Sequence, residues 1–161
     1  MLQLKKTVVM VGMMGAGKTA VGSALARVLS APFLDSDDEI VRAADRSIAE
    51  IFARDGEAFF RARETEVLSR LLCGAPCVLS TGGGAFLSES NRALIRANGV
   101  SVWLRADLDL LWSRVRYKNT RPLLRTASPR ETLRGLYEAR FPAYQQADLT
   151  VDAATDLSVE D

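Results

Sequence analysis

Apolar positions along this chain follow two alternating rhythms, short apolar runs and a three-and-four spacing. Residues 7–11 (TVVMV) form a short apolar run, which suits a parallel strand buried on both faces. Val21, Leu25, Val28 and Leu29 then recur at helical spacing within residues 17–29, the stripe of a helix lying on a sheet. Residues 31–34 predict a second strand, and it runs into Asp35, Ser36 and Asp37, at the carboxyl edge where open α/β folds bind ligands. Ser47 and Glu50 make a capping box that opens a short helix ending near Asp55 and Gly56. A longer helix follows over residues 57–72, with Phe60, Val67, Leu68, Leu71 and Leu72 available for its inner face. Val78, Leu79 and Ser80 predict a third strand leading into Gly82, Gly83 and Gly84. A helix over residues 88–97 is stopped by Asn98 and Gly99, residues 100–104 give a fourth strand, and Asp107 caps a helix that continues to about Arg116.

Residues 117–127 (YKNTRPLLRTA) carry no clear period but do carry Lys118, Arg121 and Arg125, and so long a loop in a compact domain predicts a lid. Ser128, Pro129, Arg130 and Glu131 restart a helix with a second capping box and proline at its first position. Leu149, Thr150 and Val151 predict a fifth strand, and Ser158, Val159, Glu160 and Asp161 read as a helix start. Strands alternating with helices mean a parallel sheet with right-handed crossovers, hence an α/β fold. A single domain over residues 1–161 is expected, with core 1–116 and 128–161, a lid at 117–127 and an acceptor-binding region at 37–64.

Composition narrows the function classes. With 48% hydrophobic and 25% charged residues the chain has the profile of one folded soluble domain. Twenty-one Lys and Arg against 20 Asp and Glu leave a formal charge of +1, so no global field favours nucleic acid or a membrane surface. The opening apolar run is too short for a signal peptide, and no later stretch reaches membrane-spanning length, so a cytoplasmic protein is expected; a monomer is expected as well, although nothing in the pattern fixes it. Cys73 and Cys77 lack the repeated pairs of a zinc site and read as a helix end and a strand start. Histidine is absent, which removes mechanisms that need an imidazole base or a histidine-ligated metal.

Residues 12–19 (GMMGAGKT) satisfy G-x-x-x-x-G-K-[ST] between a predicted strand and a predicted helix. Gly12, Gly15, Ala16, Gly17, Lys18, Thr19 and Ala20 therefore form a candidate ATP site. Loop amides and the helix terminus would cradle phosphates, Lys18 would place its charge on the β- and γ-phosphates, and Thr19 would hold Mg²⁺ through its hydroxyl. No Asn-Lys-x-Asp tetrapeptide for guanine appears, nor an apolar strand ending in Asp-Glu. LSTGGG at residues 79–84 resembles a transporter signature, but the chain has no room for the rest of such an ATPase. A small-molecule kinase is left.

Asp35 and Asp37, two apart at a strand end, suit the magnesium shell and the acceptor hydroxyl respectively; Asp37, Asp38 and Glu39 equally suit a helix cap. Arg61 and Glu64 share a helix face, so Glu64 could fix the Arg61 guanidinium for bidentate grip on an anion, or both could belong to a solvated charged face. Gly82, Gly83 and Gly84 admit a close substrate approach or an ordinary turn. Arg140, before Phe141 and Pro142, reads on its own as a surface residue at a helix end.

Taken in order, GMMGAGKT, FLDSDDEI at residues 33–40, IFARDGEAFFRARE at 51–64, STGGG at 80–84 and NTRPLL at 119–124 resemble the shikimate kinases over nearly the whole chain. The resemblance implies a three-layer α/β/α P-loop fold with a five-stranded parallel sheet in order 2-3-1-4-5. It also implies that ATP and shikimate give 3-phosphoshikimate and ADP, in the pathway to chorismate and aromatic amino acids. Asp37, Arg61, Gly83 and Arg140 would then bind shikimate, with Gly82 and Gly84 beside them and the two arginines on its carboxylate. Lys18, Asp37 and Arg121 would carry catalysis, Arg121 reaching the ATP phosphates from the lid. Two departures stand out: the family's pattern continues into a carboxyl-terminal helix, and Tyr117 and Lys118 replace its glycine-rich spacer before Arg121. A sugar-acid kinase of the gluconate type is the nearest rival, because an arginine pair reads a carboxylate whatever ring bears it. A nucleotide-binding regulator without catalysis is the rival of another class.

Overall fold

The computed structural model describes residues 4–116, Leu124 and residues 126–153. Its elements are β1 (Thr7–Val11), α1 (Lys18–Val28), β2 (Phe33–Asp35), α2 (Ser36–Ala44), α3 (Ile48–Leu72), β3 (Val78–Ser80), α4 (Glu89–Asn98), β4 (Gly99–Arg105), α5 (Leu108–Val115), α6 (Pro129–Tyr144) and β5 (Leu149–Asp152), with one 3₁₀ turn at Ala85–Leu87. All strand pairs are parallel and the order is β2-β3-β1-β4-β5, as the family resemblance implied. β1 lies between β3 and β4, where the chain turns to opposite sides, so the crevice above its carboxyl end is the natural ligand site.

Both sheet faces are covered, which explains the short apolar runs. Met10, Val78 and Val102 pack with Ala26 under α1, while Val9, Val11, Leu79 and Trp103 face a larger core built with Leu68, Ile95, Leu111, Leu133 and Tyr144. Leu124 is buried in that same core.

The expected pause near Gly56 is real: α3 is interrupted there at φ +86°, ψ 169°, a conformation that only glycine takes cheaply. Three expectations need correction. The second strand occupies 33–35 rather than 31–34, because residues 29–31 close α1, with Ala31 N bonding to Ala26 O and Ser30 left-handed. No capping box forms at Ser128; Glu131 turns instead to Arg134, 2.7 Å away, and only the proline at the helix start is as expected. α6 also runs through Pro142 to Tyr144 instead of stopping before it. Packing holds that last turn, since Trp103 meets Phe141 edge-on at 5.1 Å and Tyr144 at 5.7 Å.

Candidate active site

Three loops at the carboxyl edge of the sheet meet around one mouth. Leaving β1, Gly12, Gly15 and Gly17 adopt φ of +146°, +84° and +99°. Crowding adds to that demand, since a Cβ would stand 2.9 Å from Leu104 O at Gly12 and 2.7 Å from Val115 Cγ1 at Gly15. Gly17 is the N-cap of α1 and brings no side-chain acceptor, so the first-turn amides of α1 meet no capping group there. Lys18 Nζ donates to Gly12 O and, at 3.2 Å, to Met13 O, so the ammonium lies over the loop. Thr19 and Ala20 follow on the exposed first turn of α1.

Arg114, on α5, was not singled out by its sequence position, because an arginine on a charged helix face reads as solvated. Its Nη1 donates to Gly15 O at 2.9 Å and Ala16 O at 3.1 Å, tying the glycine loop to α5.

Asp35 ends β2 and is the N-cap of α2, with Oδ1 accepting from Asp37 N at 2.9 Å and Asp38 N at 3.3 Å. The N-cap is thus Asp35 rather than Asp37, while Asp37, Asp38 and Glu39 fill the acidic first turn of α2, as the helix-start alternative expected. Asp37 Oδ1 is buried and bonded to nothing. Burial pushes the Asp37 carboxyl above the usual carboxylate range, the Asp35 charge adds to this, and Lys18 and Arg61 pull the other way. Burial likewise raises Asp35, against the hydrogen bond from the Asp38 amide.

β3 delivers the residues that bring three charged groups together. A Cβ on Gly82 would stand 2.8 Å from Asp37 Oδ1, on Gly83 2.7 Å from Arg140 Nη1, and on Gly84 2.7 Å from Arg61 Cζ. Three consecutive glycines therefore face three different charged groups. Threonine and asparagine fix the turn that carries them: Thr81 Oγ1 donates to Met10 O at 2.8 Å, and buried Asn91 donates to Ala85 O at 2.9 Å while accepting from Thr65 on α3.

Arg61 pairs with Glu64 at 3.0 Å, so the charged-face alternative fails for Glu64, which has no solvent exposure at all. Burial raises the Glu64 carboxyl against the charge and hydrogen bond of Arg61, and its Oε2 has no partner. Arg140, the expected surface residue, is 4% exposed, with Nε and Nη1 bonded to nothing. Its continued helix carries it inward. Two cations and a carboxylate with spare hydrogen-bonding capacity thus line one side of the mouth, and the glycine loop and Lys18 line the other.

Among the described residues no three acidic, histidine or cysteine side chains cluster to hold a metal. Asp35 Oδ2 and the Thr19 hydroxyl are hard oxygen donors at the loop, a sparse set of the kind that suits Mg²⁺ completing its shell with phosphate and water. Arg121 and most of the expected lid lie outside the described residues.

A family model described as shikimate kinase matches residues 14–161. Curated shikimate kinases from Cereibacter sphaeroides and Ruegeria pomeroyi are 74% and 70% identical over 95% and 98% of this chain, which covers 77% and 80% of theirs. A solved shikimate kinase from Acinetobacter baumannii in complex with shikimate superposes with a TM-score of 0.89 at 40% identity, covering 96% of this chain and 86% of that one. A gluconokinase from Sinorhizobium meliloti, at 16% identity and a TM-score of 0.64, shares the fold.

Proposed function

The chain belongs to the shikimate kinase family and transfers the terminal phosphoryl group of ATP to the 3-hydroxyl of shikimate, and we propose how its residues divide that work. Arg61 and Arg140 take the shikimate carboxylate, and Asp37 engages the hydroxyl that will be phosphorylated. Gly82, Gly83 and Gly84 let the ring lie close to backbone. Across the mouth, amides of Gly12, Gly15, Ala16, Gly17, Lys18, Thr19 and Ala20 hold the ATP phosphates, and the Lys18 ammonium faces the transferred group. Arg121 adds charge from the lid at 117–127. Thr19 and Asp35 would hold Mg²⁺, which neutralises charge on the β- and γ-phosphates.

The observation that carries this reading is the row of three glycines set against Asp37, Arg140 and Arg61. Phosphoryl transfer passes through a loose transition state, so alignment and charge matter more than nucleophile strength. A carboxyl held above its usual range by burial is also suited to receive the hydroxyl proton as the bond to phosphorus forms.

ADP release with shikimate, quinate and gluconate as acceptors tests the reading. Shikimate should dominate; turnover with gluconate but not shikimate would refute the substrate, and no acceptor-dependent turnover would leave a nucleotide-binding regulator. Chelation with EDTA should abolish turnover, and added Mg²⁺ should restore it. Among the described residues no helix is long and apolar enough to cross a membrane; a monomeric, single-domain cytoplasmic enzyme with its acceptor-binding region at 37–64 belongs to the same proposal.

Arg114→Met should raise the KM for ATP about tenfold, because the Gly15 and Ala16 carbonyls lose a charged donor whose hydrogen bonds are worth roughly 1.5–3 kcal/mol. The shikimate KM should stay put. Steady-state kinetics with each substrate varied would show it, and an equal rise in both constants would rule out a role confined to the loop.

A further inference from the structure

Tyr144 lies one helical turn beyond Arg140 on α6 and is almost wholly buried. Its ring packs against Trp103 with centroids 5.7 Å apart, a contact that phenylalanine would make equally well. The hydroxyl is what needs explaining. A buried hydroxyl without a partner costs roughly 1–3 kcal/mol, so its presence points to a specific acceptor. That acceptor is Gly83 O, to which Tyr144 Oη donates. Gly83 also faces the guanidinium, since a Cβ on it would stand 2.7 Å from Arg140 Nη1. One peptide is thus held by the phenol and fronted by the arginine of the same helix, while Arg140 Nε and Nη1 have no hydrogen-bond partner.

We propose that Tyr144 is a positioning residue for the acceptor: its hydroxyl fixes the Gly83 peptide against α6, and thereby sets the distance between that peptide and the Arg140 guanidinium that receives the substrate carboxylate. This rests on the assignment of Gly83 and Arg140 to the shikimate site. Burial pushes the phenol up to about 12, against the Arg140 charge, a hydrogen bond with the Arg140 side chain and the Arg61 charge, so the phenol remains protonated across the working pH range and meets Arg140 directly as well as through the Gly83 peptide. Without the hydroxyl the Gly83 carbonyl loses this donor, and the peptide is held only by the turn bonds on either side of it, Ala85 N to Gly82 O and Leu87 N to Gly84 O.

Tyr144→Phe tests this in the full-length chain. The shikimate KM should rise about five- to twentyfold, as loss of one buried hydrogen bond allows, while the ATP KM stays within about twofold. Saturating shikimate should raise the thermal midpoint of the variant less than that of the parent, whereas the increment from ATP should match. A packing role alone would lower the midpoint and shift both KM values together, and that pattern would overturn the proposal. Arg140→Ala separates the two layers. If it raises the shikimate KM and Tyr144→Phe does not, the positioning role alone falls; if neither raises it, the acceptor assignment falls and takes this inference with it.

Discussion

Asp37→Asn is expected to lower kcat by roughly 10²–10³, within the range for loss of a positioned general base, while the ATP KM changes by less than about twofold. The same substitution should stabilise the protein. Asp37 is half-buried beside Asp35 with its Oδ1 enclosed and unpaired, and its carboxyl titrates above its ordinary value of 3.8. The folded state therefore binds this proton more tightly than the unfolded chain does. Stability contributed by that proton is present at low pH and is lost as pH rises from the ordinary value through the raised one, so at neutral pH the folded protein bears the full cost of the charge. Asparagine removes it. The thermal midpoint at pH 7 should rise by about 2–5 °C, and the decline in stability across the acidic range should flatten but persist, because Asp35 and Glu64 are raised for the same reason. Scanning calorimetry from pH 4 to pH 7 with parallel kinetics reads both effects. Near-normal turnover would remove Asp37 from the reaction.

Arg61→Ala should raise the shikimate KM by roughly 10²–10³, the roughly 3–4 kcal/mol expected when one partner of a close charge pair with substrate is deleted. ATP binding should be nearly untouched. The variant carries a second defect, since Glu64 has no solvent exposure and would lose the guanidinium 3.0 Å away. Stranding such a carboxylate costs up to roughly 3–5 kcal/mol, less here because Arg61 is itself partly exposed and Glu64 can protonate. The double substitution Arg61→Ala/Glu64→Gln separates the losses: stability should return while the shikimate KM stays high. Recovery of KM together with stability would mean that Arg61 acts only through the fold, and equal losses for both substrates in the single variant would contradict its place at the acceptor.

Local chemistry was legible in the sequence wherever a signal sat within a few residues. The apolar run Thr7–Val11 is β1 to the residue, and Ser47 with Glu50 forms its capping box at 3.1 Å. The glycine loop follows β1 and opens α1, as its motif requires. Legibility ended where tertiary packing decides. Ser128 and Glu131 have capping-box spacing, yet a nearby arginine outcompetes the cap. Proline at 142 predicts a helix end, yet aromatic packing against Trp103 carries α6 past it and buries Arg140. Arg114 gave no signal because its partners are backbone carbonyls from a loop about a hundred positions earlier. That Asp37, Arg61 and Arg140 converge was available only through family resemblance, since they lie on separate helices joined by the turn at 82–84.

That turn also bears on any attempt to retool the enzyme. Mutagenesis libraries aimed at a new acceptor would ordinarily randomise the pocket rim, but at positions 82–84 even a methyl group collides with Asp37, Arg140 or Arg61. Productive diversity is confined to the facing helices. Altered acceptor preference should therefore emerge from paired changes on α3 and α6, with the glycine codons recovered intact after selection.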